Sequence, residues 1–122
     1  MWETYEPLTV HDSSLSWGVH AHLAFLLGRT DEGWDYFERS LLLDLEDRMH
    51  STGREGVHMA ALGASWQALV YGMLGLWSEG GACTLAPHLP KAIRRISLCV
   101  YHRGQRLRIT AGPEGAAIAK EA

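Results

Sequence analysis

Apolar residues recur at helical spacing in three stretches, which are residues 12–28, 30–44 and 59–77. The first stretch opens with Asp12-Ser13-Ser14 and the second with Thr30-Asp31-Glu32, and residues of these types favour a helix N-terminus. The third stretch carries many Ala and Gly residues between its large apolar ones, so neighbouring elements can approach it closely. The pattern predicts three helices.

After Gly80-Gly81 the apolar spacing changes from about 3.6 residues to about two, which is typical of strands. Residues 96–100 and 107–109 alternate in this way, and Arg103-Gly104 between them indicates a hairpin turn. Residues 83–86 are a candidate third strand. The Ala- and Gly-rich residues 112–122 are expected to form a disordered tail.

Three helices and a few strands do not enclose a core well. The third helix is apolar or small nearly all round, which is typical of a helix surrounded by several others. A single hairpin also needs further packing to be stable. We therefore expect this chain to be part of a larger protein.

Composition excludes several classes of protein. Of the 122 residues 47% are hydrophobic and 20% charged, with 13 Gly and 4 Pro, so the chain is neither collagen-like nor disordered. Asp and Glu number 14 against 11 Lys and Arg, and we therefore expect no nucleic-acid partner. The longest apolar run, residues 68–77, is about half of what a membrane span needs, so we expect no membrane association.

Location and metal chemistry follow from the termini and the cysteines. The acidic N-terminus has no secretory signal, and we expect a cytoplasmic protein. Cys83 and Cys99 lack the spacing of a metal site or a disulfide framework. The seven histidines include no i,i+4 pair with a carboxylate partner, so no metal site is predicted.

Two helix N-termini carry the residues best suited to bind an anion. Successive helices joined by modest loops run antiparallel, so the first and third should point the same way. This would place the residues 11–14 and His58 at one end of the bundle. Unpaired backbone N–H groups, hydroxyls and an imidazole there could hold phosphate. Two alternatives remain open: Asp12, Ser13 and Ser14 are also ordinary helix caps, and His58 could be an ordinary loop histidine.

Three motifs in order resemble a known family. They are YEPLTVHDSSLS at 5–16, GVHMAALGASW at 56–66 and APHLP at 86–90. Together they resemble the C-terminal part of glycoside hydrolase family 65, which contains maltose, trehalose, kojibiose and nigerose phosphorylases and some trehalose hydrolases. The resemblance covers about residues 2–110. It implies that 1–78 are the last helices of an (α/α)6 barrel and that 79–111 begin a C-terminal β domain.

The resemblance also implies a site and a reaction. Phosphate would be bound by Ser13, Ser14 and His58, with His11 and Asp12 in an orienting role. The reaction would be inverting phosphorolysis of an α-linked glucose disaccharide to β-glucose 1-phosphate, with inorganic phosphate as co-substrate and no cofactor.

The general-acid Glu of the family lies upstream of the matching segment, so no catalytic residue is assigned here. We therefore expect the chain alone to be inactive, and to self-associate or require the rest of the barrel. Two alternatives are a hydrolytic, trehalase-like member and a catalytically inactive helical interaction module.

Overall fold

The computed structural model describes residues 1–122, a helical part followed by a β part. The helical elements, in chain order, are α1 (Trp2–Tyr5), a 3-10 turn (Glu6–Leu8), α2 (Ser16–Leu26), α3 (Thr30–Leu41), α4 (Thr52–Glu55), α5 (Met59–Gln67) and a π-helical continuation of α5 (Ala68–Met73). The strands are β1 (Trp77–Glu79), β2 (Ala82–Thr84), β3 (Ile96–His102), β4 (Gln105–Gly112) and β5 (Gly115–Glu121). No helix is both long and apolar enough to cross a membrane.

Helix α2 runs parallel to α5 and its continuation, as the sequence predicts. Gly18 faces Ala64, since a Cβ at Gly18 would lie 2.5 Å from the Ala64 Cβ, and a Cβ at Gly72 would lie 3.2 Å from the backbone of His22. Residue numbers therefore rise together along both elements. The small residues let the two backbones approach, which is why the third apolar stretch contains so many of them.

The core has two adjoining halves. In the helical half Phe25, Phe37 and Met73 pack with small residues of α2 and the π-helical segment. In the half beneath the sheet, Leu74 and Ile109 are fully buried. Leu89 and Ile96 are among the side chains that contact both halves, so the helical and β parts share one continuous interior.

Strands β3, β4 and β5 form an antiparallel sheet in that order, and β1 pairs with β2 separately. The predicted hairpin is confirmed: β3 and β4 are joined at Arg103 and Gly104, both with positive φ (51° and 75°). This conformation at both central residues matches the strand twist and suits Gly best. On β4, Leu107, Ile109 and Ala111 are buried, which is the alternation that the sequence shows.

Residues 112–122 are not a disordered tail, and that prediction is wrong. Residues 115–121 form β5, which pairs with β4 along its full length. Ile118 lies opposite Ile109, whose side chain is completely buried. An Ala-rich segment has little strand preference of its own, so the sequence could not reveal that β4 offers it an unpaired edge.

Two helix boundaries also differ from the prediction. The first helix begins at Ser16 and not at Asp12, because residues 13–15 form a turn. The third helix, with its π-helical continuation, ends at Met73, whereas Trp77 belongs to β1. The chain turns at Gly75, where φ is +60° and the backbone of Ala86 is packed so closely that no Cβ would fit.

Candidate functional site

The turn before α2 is closed by a hydrogen bond across the HDSSLS motif. The Nδ1 atom of His11 lies 2.7 Å from the Oγ of Ser16, the first residue of α2. Within the turn the backbone N–H of Leu15 donates to the Oγ of Ser13 at 3.3 Å. Ser13 is exposed and Ser14 half-buried, and the Ser14 side chain makes no hydrogen bond within the chain. The paired serines therefore lie on a turn that hydrogen bonds hold in place, and the Ser14 hydroxyl is available to a ligand.

His11 is also held from its other side. Its Nε2 lies 3.3 Å from the Oη of Tyr36 on α3, and that hydroxyl donates to the carboxylate of Glu6. The ring of His20 on α2 lies 4.6 Å from the His11 ring. Burial, with a smaller contribution from His20, lowers the pKa of His11 below its ordinary 6.5. Burial and Glu6 raise the pKa of Tyr36 to about 12.

These contacts connect the turn to α2, to α3 and to the 3-10 turn that contains Glu6, which agrees with the orienting role predicted for His11. Asp12 is exposed and its side chain makes no hydrogen bond within the chain. The structure therefore provides a mechanism for orientation through His11 and none through Asp12.

His58 immediately precedes α5 and is held by Asp44, a residue that no motif in the sequence indicates. Its ring Nδ1 lies 2.6 Å from Asp44 Oδ1, and its backbone N–H donates to Asp44 Oδ2 at 2.8 Å. The two side chains are 18% and 8% exposed. These bonds from His58, with a further one from Thr52, hold the pKa of Asp44 below its ordinary 3.8. The remaining ring nitrogen, Nε2, lies 3.4 Å from Ser51 Oγ.

No local signal in the sequence marks Asp44 as a partner of His58. It lies just beyond α3, at the predicted end of the second helix, and fourteen positions separate the two residues. An Asp at such a position is ordinarily read as a turn residue. Only the path of the chain through α4 and back to α5 brings the carboxylate to the imidazole.

The structure places the predicted site residues at one end of the bundle. Because α2 and α5 run parallel, the turn that precedes α2 and His58, which precedes α5, lie at the same end. No hydrogen bond joins His58 directly to Ser13 or Ser14. The arrangement can therefore present two hydroxyls and an imidazole nitrogen near two helix N-termini, which is a set of groups suited to an oxyanion. No group of three or more His, Cys, Asp and Glu side chains could hold a metal ion.

Comparison with known proteins identifies the class to which this fold and site belong. Residues 2–67 match the glycosyl hydrolase family 65 central catalytic domain, and residues 78–122 match the glycosyl hydrolase family 65 C-terminal domain. The chain therefore belongs to glycoside hydrolase family 65. The predicted fold class, a helical part of the catalytic domain followed by a C-terminal β domain, is confirmed.

Individual relatives are disaccharide phosphorylases by name. The chain is 35% identical over 111 residues to an alpha,alpha-trehalose phosphorylase of Geobacillus stearothermophilus and 37% identical over 108 residues to a maltose phosphorylase of Bacillus subtilis. These alignments cover 91% and 88% of the chain but only 14% of each relative. A solved structure, a putative kojibiose phosphorylase from the human microbiome, superposes on 99% of the chain with a TM-score of 0.88 and 29% identity, and the match covers 16% of that protein.

Proposed function

We propose that this chain supplies part of the phosphate-binding pocket of an inverting disaccharide phosphorylase, which splits an α-linked glucose disaccharide with phosphate to give β-glucose 1-phosphate. The observation that carries the proposal is the parallel course of α2 and α5, which brings the HDSSLS turn and His58 to one end of the bundle. The phosphorylases among the relatives support the same reaction class.

The side chains decide how strongly such a pocket binds phosphate. A helix N-terminus contributes about 0.3 to 1 kcal/mol to the binding of an anion. A hydrogen bond to a charged group contributes about 1.5 to 3 kcal/mol. The hydroxyls of Ser13 and Ser14 and the Nε2 of His58 are the groups proposed to donate these bonds, and they therefore outweigh the two helix ends.

The reaction needs positioning more than it needs a strong base. A carboxylic acid protonates the departing glycosidic oxygen while phosphate attacks the anomeric carbon from the opposite face. The phosphate anion is itself the nucleophile, so the second carboxylate that activates water in an inverting hydrolase is not required. The pocket holds the anion in line with the carbon that it attacks. No residue of this chain is assigned as the general acid.

A chimera tests the proposed site. The matched segment of the Geobacillus stearothermophilus trehalose phosphorylase is replaced by this chain, and trehalose phosphorolysis is measured as a function of phosphate. We expect Ser13→Ala with Ser14→Ala, and separately His58→Ala, to raise the KM for phosphate about tenfold or more, since each removes a bond to a charged ligand. The KM for trehalose should change little.

Ser97→Ala and His102→Ala on β3 are the matched controls, because they remove the same groups from the β domain. An unchanged KM for phosphate in the site variants would refute the assignment. Release of free glucose without any need for phosphate would favour the hydrolytic alternative.

A further inference from the structure

Asp44 accepts three hydrogen bonds, and two of them come from His58. Its Oδ1 lies 2.6 Å from the His58 Nδ1 and 3.1 Å from the Thr52 Oγ1, while Oδ2 lies 2.8 Å from the His58 backbone N. One carboxylate therefore holds both the backbone and the ring of a single residue. The side chain of Asp44 is only 8% exposed, so water competes little for these bonds.

This geometry determines which ring nitrogen carries the proton. An ionised carboxylate accepts hydrogen bonds and cannot donate one, so the His58 Nδ1 must be protonated to make its contact with Asp44. In the neutral ring the lone pair is then on Nε2, and in the charged ring Nε2 is a second donor. The hydroxyl of Ser51, 3.4 Å from Nε2, can donate to the lone pair or turn away from the charged form.

We propose that Asp44 is the positioning residue of His58: it holds one proton on Nδ1, so that the second proton of the charged ring lies on Nε2, from which it can be donated to the ligand. For the identity of that ligand this inference rests on the proposed function, whereas the tautomer of His58 does not depend on it. An Asn at this position would offer one oxygen to donors that now use two. Its NH2 group would then face either the backbone N–H or the ring nitrogen of His58, and only the second arrangement moves the ring proton to Nε2, so Asp44→Ala is the decisive variant.

A purely structural role for Asp44 predicts a different result, and Asp47 provides the comparison. Asp47 lies in the same loop, and its Oδ1 accepts the backbone N–H of Thr52 at 2.9 Å. It makes no hydrogen bond to His58. Asp47→Asn therefore disturbs the loop while leaving the His58 contacts in place, and Asn tolerates the positive φ of 46° found there.

The experiment reads the tautomer directly from the 15N-labelled chain. Long-range 1H–15N correlation spectra at about pH 8.5, where free imidazole is neutral, distinguish a protonated ring nitrogen from an unprotonated one. The spectrum of His58→Gln identifies the His58 signals. We expect the proton on Nδ1 in the wild type and in Asp47→Asn, and a shift to Nε2 in Asp44→Ala, where the carboxylate that accepts from Nδ1 is absent.

A wild-type ring protonated on Nε2 would overturn the inference, whether or not the Asp44 variants fold. So would a folded Asp44→Ala variant that keeps the proton on Nδ1. In the chimera, Asp44→Ala should raise the KM for phosphate about tenfold with little change in the KM for trehalose, because His58 then loses the carboxylate that orients its ring toward the ligand. Asp47→Asn should change neither.

The two proposals can fail separately. If the proton of His58 lies on Nδ1 and its place depends on Asp44, but the KM for phosphate is unchanged in the Ser13, Ser14 and His58 variants, the positioning stands and the phosphate site is refuted. If the KM for phosphate rises in those variants, but the His58 tautomer is the same with and without Asp44, the phosphate site stands and the positioning is refuted.

Discussion

At the scale of single residues, two kinds of contact shape the candidate site. Charged and polar groups fix His11 and His58 through directed bonds, and small residues let the helices that follow them, α2 and α5, come together. Gly18 is the clearest small residue, because the side chain of Ala64 occupies the space that its Cβ would need. A change of one methyl group there should therefore be measurable.

We expect Gly18→Ala to lower the free energy of unfolding by about 1 to 3 kcal/mol, since the added methyl overpacks the seam between α2 and α5. Chemical denaturation measures this change in the free energy of unfolding. Gly63→Ala is the matched control, because Gly63 lies on α5 with no atom within 4 Å of the added Cβ. That change should raise stability by about 0.5 to 1 kcal/mol through helix propensity. Equal changes in the free energy of unfolding of the two variants would contradict the close packing of α2 against α5.

The lowered pKa values of two histidines predict how the free energy of unfolding depends on pH. Burial lowers the pKa of His22, and burial and His20 lower that of His11, each from 6.5. The unfolded chain therefore binds protons at a pH where the folded chain does not, and the folded state loses stability as pH falls below about 6.5. Urea unfolding between about pH 7.5 and pH 5 measures the slope.

His22→Gln and His11→Gln should each make that slope shallower, because each removes one group whose protonation opposes folding. His50→Gln is the control, since His50 is exposed and makes no side-chain hydrogen bond. Slopes unchanged in both test variants would show that these rings titrate equally in the folded and unfolded chain.

At the scale of elements, β5 shows how a weak local pattern becomes a strand. Its Ala and Gly residues give it little preference of its own, but β4 offers an edge whose register places Ile118 opposite Ile109. Glu121 at its end forms ion pairs with Arg106 and Arg108 of β4. These ion pairs are partly exposed to solvent, which weakens them, so packing of Ile118 should dominate.

Ile118→Ala should lower the free energy of unfolding by about 1 to 2 kcal/mol, less than for a fully buried Ile because the side chain is half-buried. It should also speed amide hydrogen exchange along β5. Ala119→Ser, at an exposed position of the same strand, should change neither. Rapid exchange of the β5 amides in the wild type would show that the segment is frayed in solution.

At the scale of the whole molecule, the helices carry more exposed apolar surface than a self-contained domain needs. Val19, Leu23 and Leu26 of α2 and the following Leu27 are about half exposed or more, and Met59 and Trp66 of α5 are exposed to a similar extent. An apolar surface of this kind marks a site of contact with another protein part. In relatives of which the chain spans 14%, much more protein is present to make such contacts.

The isolated chain should therefore associate with itself at high concentration. We expect sedimentation velocity to show a weight-average mass that rises with concentration, and Leu23→Gln with Leu27→Gln to reduce that rise. Leu45→Gln, at a separate and 83% exposed position, should not. A mass of 13.5 kDa at all concentrations would contradict this expectation.

Much of the fold could be predicted from periodicity, because helices and hairpins depend on contacts between residues that are near in sequence. The helix starts at Thr30 and Met59 and the turn at Arg103-Gly104 were all predicted in this way. The predictions that fail lie where distant contacts decide the outcome. Trp77 leaves the helix because the chain turns at Gly75, and residues 115–121 become a strand because β4 has a free edge.

By itself the sequence determined the three long helices and the hairpin that follows them, the family, and the residues proposed to bind phosphate. Only the tertiary structure decided that Asp44 holds His58 and that His11 closes the turn through Ser16. The physical reason is that a motif records which chemical groups are present, whereas a hydrogen bond between positions fourteen residues apart depends on the path of the whole backbone between them.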